Sequence, residues 1–184
     1  MVYIRCKACG YLMPEGSKYD ICPACGVPNK MFEPYDDKVS ETRSKLINLD
    51  IHPVMVHAPV ALSYIGGLTI ILLLLGFWPD LLKPVFKVLT IILVASAFGS
   101  MATGIFDAKV RFRKVSTPVL KKKLIIGGVF TVATVFSFLG AWFLDFAAAP
   151  TQVLLVIVSL LAMISAAVLG LLGAKLVHAK MPGK

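Results

Sequence analysis

The sequence of 184 residues is poor in charged residues and in the side chains that most often carry chemistry. Charged residues make up 16% of the chain and hydrophobic residues 58%, against about 25% and about 45–50% in soluble domains. This composition argues against an ordinary soluble globule. Only four cysteines and three histidines are present, so few positions can hold a metal or a redox cofactor. There is no low-complexity tract and no repeat of fixed period.

Acidic residues are scarce as well, and their distribution explains the net charge of +9. Residues 1–51 contain seven basic and seven acidic residues, whereas residues 52–184 contain twelve basic and only three acidic ones. The whole excess therefore belongs to the apolar part of the chain. In such a part, basic residues mark cytoplasmic loops rather than a nucleic-acid surface. We expect no nucleic-acid partner.

The apolar part contains four runs, each of about the 20 residues that a membrane-spanning helix needs. They cover about residues 53–78, 84–106, 124–144 and 153–175. The predicted fold is mainly α, with a four-transmembrane-helix bundle over residues 52–184, a small metal-binding domain over residues 1–34 and a linker or short solvated helix over residues 35–51. The middle of each run lacks charge, which argues against a transporter or a channel.

The distribution of basic residues predicts the orientation of the four spans. The segment between the second and third spans and the tail after the fourth carry ten bases, namely Lys109, Arg111, Arg113, Lys114, Lys121, Lys122, Lys123, Lys175, Lys180 and Lys184. The other two connections contain far fewer. By the positive-inside rule, this is an integral protein of the cytoplasmic membrane with both termini in the cytoplasm. The basic segment would also contact anionic lipid headgroups.

Two of the spans carry small residues at every fourth position, which allows helix backbones to approach closely in lipid. These residues are Ser96, Ser100 and Gly104 on the second span, and Ala162, Ala166, Gly170 and Ala174 on the fourth. We interpret them as packing features and assign them no chemistry.

The four cysteines form two Cys-x-x-Cys pairs, Cys6/Cys9 and Cys22/Cys25, separated by twelve residues. Each pair can form a tight knuckle, and a glycine follows each second cysteine, where a positive φ is often needed. Four thiolates in a tetrahedron suit zinc or iron. A pair of disulfides is the alternative, and the predicted cytoplasmic location argues against it. The metal would supply most of the folding free energy of so small a domain.

These residues resemble a rubredoxin-type domain, and most closely the short version found in rubrerythrins. The resemblance covers about residues 1–34 and rests on the two Cys-x-x-Cys pairs, on Tyr3, Gly10 and Tyr11, and on Pro28 with Phe32-Glu33. It implies a mononuclear iron held by Cys6, Cys9, Cys22 and Cys25 that cycles between ferric and ferrous states. Zinc is the alternative metal, because zinc ribbons share the Cys-Pro-x-Cys-Gly knuckle. Tyr3, Tyr11 and Phe32 would form a small aromatic core.

The three histidines, His52, His57 and His178, all fall toward the predicted cytoplasmic side, together with Asp107. Ionisable residues at a span end often mark function. Three interpretations remain open: interfacial residues that reach the headgroups, a quinone or proton site, and a b-type haem. His57 is the first candidate because it lies deeper than His52. Asp50 can cap the first span, and Pro59 can distort it.

The stretch His52-Pro-Val-Met-Val-His57-Ala-Pro59 and the segment Gly104-Ile-Phe-Asp107 are similar to the motifs of an uncharacterised family of four-span bacterial and archaeal membrane proteins. The resemblance covers about residues 49–178. Many members have a histidine at the start of the third span, where this chain has Lys121–Lys123. That difference bears on any cofactor that would need the missing ligand.

Together these features predict a membrane-anchored electron carrier rather than an enzyme with catalytic residues of its own. A soluble reductase or other donor would reduce the iron, and a quinone or haem near His57, His52, His178 and Asp107 would accept the electron. The alternative is a zinc-ribbon docking module on a membrane scaffold that has no enzymatic role.

Overall fold

A computed structural model describes residues 3–17, 19–36, 40–113, 115 and 117–177. The chain divides into two compact units, an N-terminal one that contains the chain up to Ser44 and also the chain from Ala174 onward, and a helical one, Lys45–Gly173. We describe each unit by itself. His178 lies outside the described residues.

The N-terminal unit is built on a three-stranded antiparallel sheet with β1 (Tyr3–Cys6) in the centre, between β2 (Leu12–Pro14) and β3 (Phe32–Tyr35). Strand β1 ends at the first cysteine, which pairs with Phe32 of β3. The chain between β2 and β3 carries the second cysteine pair and a short 3-10 turn, Asn29–Met31. The sheet therefore holds the first knuckle at its end and leaves the second to the connecting loop.

Six helices follow. They are α1 (Glu41–Asn48), α2 (Ile51–Met55), α3 (His57–Leu74), α4 (Pro79–Phe112), α5 (Pro118–Phe143) and α6 (Ala149–Val177). The fold is thus mainly helical, with four long apolar helices and a small N-terminal strand region, as predicted.

Some helix boundaries differ from the predicted spans because a glycine or a proline ends or begins the helix there. Helix α3 ends at Leu74 because Gly76, at φ +80°, closes it with bonds from the N–H groups of Gly76 and Phe77 to Leu73 and Leu72, the Schellman arrangement. Helix α4 begins five residues before Pro84, since Pro79 occupies its first turn, where the missing N–H costs nothing. Pro118 similarly starts α5. The predicted linker contains α1.

The core of the helical unit is formed by small and branched side chains of α4, α5 and α6. The main cluster contains Leu93, Ala97, Phe130, Ala133, Val158, Ala162 and Ala166. Ala162 and Ala166 are almost fully buried, at 1% and 2% exposure, so two of the small residues on the last span do pack between helices. A second cluster contains Ile70, Phe86, Ala141 and Leu155.

The outer surface of the helical unit is largely apolar. Leu171 is 67% exposed and Phe143 is 72% exposed, which an aqueous environment would disfavour over so large an area. Four helical segments, Thr42–Leu74, Pro79–Arg111, Pro118–Phe143 and Ala149–Ala174, are long and apolar enough to cross a membrane.

Candidate metal centre and a polar cluster in the helical unit

The first knuckle contains Cys6 and Cys9. The N–H of Cys6 donates to the carbonyl of Tyr11 at 2.9 Å, and the N–H of Gly10 donates to the carbonyl of Cys6 at 2.8 Å. Gly10 has a φ of +78°, a left-handed conformation that glycine adopts without a Cβ penalty. The backbone is thereby folded so tightly that both sulfurs face the same side.

The second knuckle repeats this geometry with Cys22 and Cys25. The N–H of Cys22 donates to the carbonyl of Val27 at 2.8 Å, and the N–H of Gly26 donates to the carbonyl of Cys22 at 2.8 Å. Gly26 has a φ of +74°. The positive φ predicted for the glycine after each pair is therefore confirmed.

The four sulfurs converge. Cys6 Sγ lies 3.8 Å from Cys25 Sγ, and Cys9 Sγ lies 3.7 Å from Cys22 Sγ. All four atoms lie within 4.8 Å of one another. A metal–sulfur bond of about 2.3 Å places the corners of a tetrahedron about 3.8 Å apart. The spacing therefore fits one metal ion held by four thiolates.

Hydrogen bonds from backbone N–H groups favour the thiolate form of one of the four cysteines, Cys22. Burial raises the pKa of Cys22, but bonds from the backbone N–H groups of Cys25 and Ala24 and from neighbouring thiols outweigh it and lower that pKa to about 7. Burial raises the pKa of Cys9 to about 12, against the bond from the Tyr11 N–H. A metal that binds all four as thiolates must therefore displace protons.

The surroundings of the sulfurs differ from side to side. Cys6 and Cys22 are 0% and 1% exposed, whereas Cys25 is only half-buried. Phe32 packs against the cysteine cluster. Tyr11 is 41% exposed, so the prediction that it belongs to an aromatic core is wrong. The Tyr11 side chain is exposed, and its backbone N–H and carbonyl bond to the two cysteines of the first knuckle.

The four thiolates complete the coordination shell of one metal. Structural and electron-transfer sites have this closed shell, whereas catalytic zinc sites keep an open position for water or substrate. The donor set fits zinc and iron equally well. It can hold a fold or pass an electron, but it offers a substrate no place to bind the metal.

A second group of polar residues lies in the helical unit, where the chain enters the first span. The helix is interrupted at Val56, between α2 and α3. Pro59 has no N–H to give to the Met55 carbonyl four residues earlier, and the Ser100 hydroxyl of α4 donates to that carbonyl instead, at 3.0 Å. The predicted distortion at Pro59 is thus confirmed, and it seats α2 on the Ser100–Gly104 part of the small-residue stripe.

His52 is the histidine that this packing brings inward. Its ring lies against Gly104, where an added Cβ would sit 2.9 Å from His52 Cε1. His52 Nδ1 lies 3.4 Å from Thr103 Oγ1, and the Thr103 hydroxyl donates its only proton to the Gly99 or Ser100 carbonyl. With that proton on a carbonyl, Thr103 would accept from Nδ1–H. In that tautomer Nε2 of the neutral ring would be left as an acceptor.

Arg111 ties this end of α4 to the segment that precedes α2. Its Nε donates to both carboxylate oxygens of Asp107 at 2.9 Å, and its Nη2 donates to Asp50 Oδ1 at 2.5 Å and to the Ile47 carbonyl at 2.8 Å. Asp50 has a left-handed backbone and makes no side-chain cap. The predicted capping role of Asp50 is wrong, because Arg111 takes its carboxylate.

Lys123 joins the group from α5. It is half-buried, acts electrostatically on both His52 and Asp107, and places its Nζ 3.8 Å from the position that a Cβ would take at Gly173 of α6. No hydrogen bond or ion pair within 4 Å joins it to another residue in the described part of the chain. From the sequence, Lys123 is predicted only as one of the bases between the second and third spans.

His57 is placed differently from His52. It is exposed on the outer surface of α3, and its Nδ1 lies 3.2 Å from the Val54 carbonyl. The structure thus brings together His52 and Asp107 of the predicted residues, adds Thr103, Arg111 and Lys123, and leaves His57 outside the group. The spacing Ser100–Gly104 was the sequence signal that could have identified His52, since it marks where a second backbone fits closely.

Comparison with known proteins identifies one part of the chain. A family model described as "Rubrerythrin, rubredoxin-like domain" matches residues 5–33, the segment that contains both knuckles. No curated protein and no solved structure matches the chain. The similarity of residues 49–178 to a four-span family stays a prediction. The chain therefore has a rubredoxin-like domain with four metal-binding cysteines at its N-terminus, followed by four helices able to cross a membrane.

Proposed function

We propose that this protein is a membrane-anchored electron carrier, with a mononuclear iron bound by Cys6, Cys9, Cys22 and Cys25. The observation that carries the proposal is the tetrahedral spacing of four sulfurs inside a rubredoxin-like domain. When bound, iron would supply one-electron chemistry at a closed thiolate shell.

Different groups of the domain would exclude water from the iron, stabilise the thiolates and admit a donor. Cys6 and Cys22 are buried and exclude water. Backbone N–H groups that face the sulfurs stabilise their negative charge, which is one of the means by which proteins set a reduction potential. Cys25 is the least buried of the four, so its side is the one that a soluble donor would approach.

The four long helices would anchor this domain in the cytoplasmic membrane. Lys109 and Arg111 close α4, and Lys121–Lys123 lie in the first turns of α5. At the opposite ends of these helices, Trp142 donates from Nε1 to the Lys87 carbonyl at 3.2 Å and lies 5.4 Å from Lys87 Nζ, an arrangement typical of a membrane interface. The basic ends would face the cytoplasm, and so would both termini.

The polar cluster of the helical unit would hold the electron acceptor. His52 Nε2 would act as a hydrogen-bond acceptor, and Lys123, whose charge acts on His52, would act as a donor. A quinone headgroup offers a carbonyl to such a donor and, once reduced, a hydroxyl to such an acceptor. Asp107 is held by Arg111 and would balance the charge of Lys123. This makes a quinone the acceptor that we favour over a haem.

The test begins with metal content and visible spectra of the full-length protein from iron-replete cells. We expect stoichiometric iron and an iron–thiolate band that reductant bleaches. Zinc without iron would instead support the docking module, and a haem band would replace the quinone with a haem.

The acceptor site has its own test in the variants His52→Leu and His57→Leu. Reoxidation of the reduced protein by a short-chain quinone should slow at least tenfold in His52→Leu and change little in His57→Leu, with the iron band intact in both. The opposite ranking would assign the acceptor to His57.

A further inference from the structure

A small cavity lies between the four long helices, and each helix contributes one hydroxyl to its wall. These hydroxyls belong to Ser63 of α3, Thr90 of α4, Ser137 of α5 and Ser159 of α6. All four side chains are buried, with exposures of 2%, 2%, 2% and 6%.

Three of these hydroxyls have already used their single proton. Each donates to a carbonyl one turn back on its own helix, from Ser63 to Val60 at 2.8 Å, from Thr90 to Lys87 at 2.7 Å and from Ser137 to Ala133 at 3.0 Å. A hydroxyl that donates still has lone pairs to offer. These three groups can therefore act toward the cavity only as acceptors.

Ser159 is the exception. No hydrogen bond joins its hydroxyl to another of the described residues, although Ser159 is only 6% exposed. No fully buried side-chain nitrogen or oxygen of the described residues lacks a partner, so the unpaired Ser159 oxygen borders open space that a small molecule can reach. The cavity that Ser159 lines is the natural place for its missing partner.

The dimensions restrict the guest. The cavity has a volume of about 10 Å³, and a single water molecule needs about 10–15 Å³. Ser159 lies ten residues from the start of α6, which is about 15 Å along a helix. The site is thus near the middle of a hydrocarbon layer about 30 Å thick.

We propose that the centre of the helical unit binds one water molecule. The water accepts the proton of Ser159 and donates to two of the three acceptor hydroxyls, so that every group in the cavity is satisfied. Gly66 lines the cavity. A Cβ at this position would lie in open space, with Phe86 Cε2 at 4.0 Å as its nearest neighbour, so the glycine leaves room for the water. The hydroxyls of all four helices would then meet at one polar site, and this proposal does not depend on any function of the cysteines.

Solid-state NMR of the full-length protein in lipid vesicles tests the proposal by magnetisation transfer from water to the Ser159 and Ser63 amides. We expect a water cross-peak at both amides. The cross-peak should disappear in the double variant Thr90→Val/Ser159→Ala. Absence of the cross-peak from the unmodified protein, with spectra otherwise resolved, would overturn the proposal.

Thermal unfolding gives a second readout. Ser159→Ala should lower Tm by several degrees more than Ser165→Ala, a matched control on the same helix that is also buried, at 4% exposure, but does not line the cavity. Equal shifts would contradict a bound water. A Tm that changes when sodium replaces potassium at constant ionic strength would show that a cation occupies the cavity and would also overturn the proposal.

Discussion

The two units of this chain bury very different material. In the N-terminal unit the buried side chains include Cys6, Cys9, Cys22 and Met13, so three of these four are metal ligands. In the helical unit the core consists of alanines, branched residues and hydroxyls between long helices. The first unit has little apolar surface to bury and depends on a metal. The second depends on close contact between backbones.

This contrast shows why small residues have different meanings in the two units. Gly10 and Gly26 serve backbone conformation, since their φ values lie near +75°. Gly104 serves space, because a histidine ring occupies the volume that its side chain would fill. The same residue type therefore supports a turn in one unit and an interface in the other.

The largest effect that would separate the two units is loss of the metal. Cys22→Ser should abolish metal binding and unfold the N-terminal unit, because metal-dependent domains of this size owe about 10–16 kcal/mol to the ion. Far-UV circular dichroism should show that the helices persist. Limited proteolysis should cut within residues 1–44, and elemental analysis should find no metal.

Ser17→Ala is the control for this experiment. It removes an exposed bond to the Pro14 carbonyl and should leave both metal content and protease resistance unchanged. A Cys22→Ser protein that still resists protease would mean that the sheet of β1, β2 and β3 holds the unit together by itself.

A smaller effect tests packing in the helical unit. Gly104→Ala puts a Cβ 2.9 Å from His52 Cε1, and such overpacking typically costs about 1–3 kcal/mol. Gly128→Ala is the matched control, since its added Cβ meets nothing within 4 Å and alanine favours a helix by about 1 kcal/mol. Urea or thermal unfolding in mild detergent should therefore show opposite signs for the two variants.

Chemical shifts of the His52 ring provide a direct check on the same pair. They should move in Gly104→Ala and stay fixed in Gly128→Ala. Stabilisation by Gly104→Ala would show that α2 does not lie against α4 at this position.

The smallest effect concerns the surface of the N-terminal unit. The Arg5 guanidinium donates to Glu33 at 2.6 Å and lowers the pKa of that carboxyl below its ordinary value of 4.5. A lowered pKa stabilises the folded state above pH 4.5, and this contribution is lost as the pH falls through the folded value. Glu33→Gln should weaken that acid dependence slightly in a pH titration of unfolding. An unchanged profile would show that solvent screens the pair completely.

Much of the architecture was accessible from the sequence because its signals are local. Four apolar runs predicted four long helices, and two Cys-x-x-Cys pairs predicted one metal centre, since each depends on neighbouring residues alone. The choice between His52 and His57 was not accessible in this way. It depends on which face of α2 meets Gly104, and the break at Val56 turns that face relative to α3.

The sequence by itself determined the metal ligands, the helical class and the division of charge between the two parts of the chain. Composition, spacing and run length are properties of the chain that packing does not alter. Tertiary structure alone decided that Lys123 and Arg111 join His52 and Asp107, and that four isolated hydroxyls share one cavity. Those groupings arise because residues far apart in sequence meet only when helices pack at a particular rotation and depth.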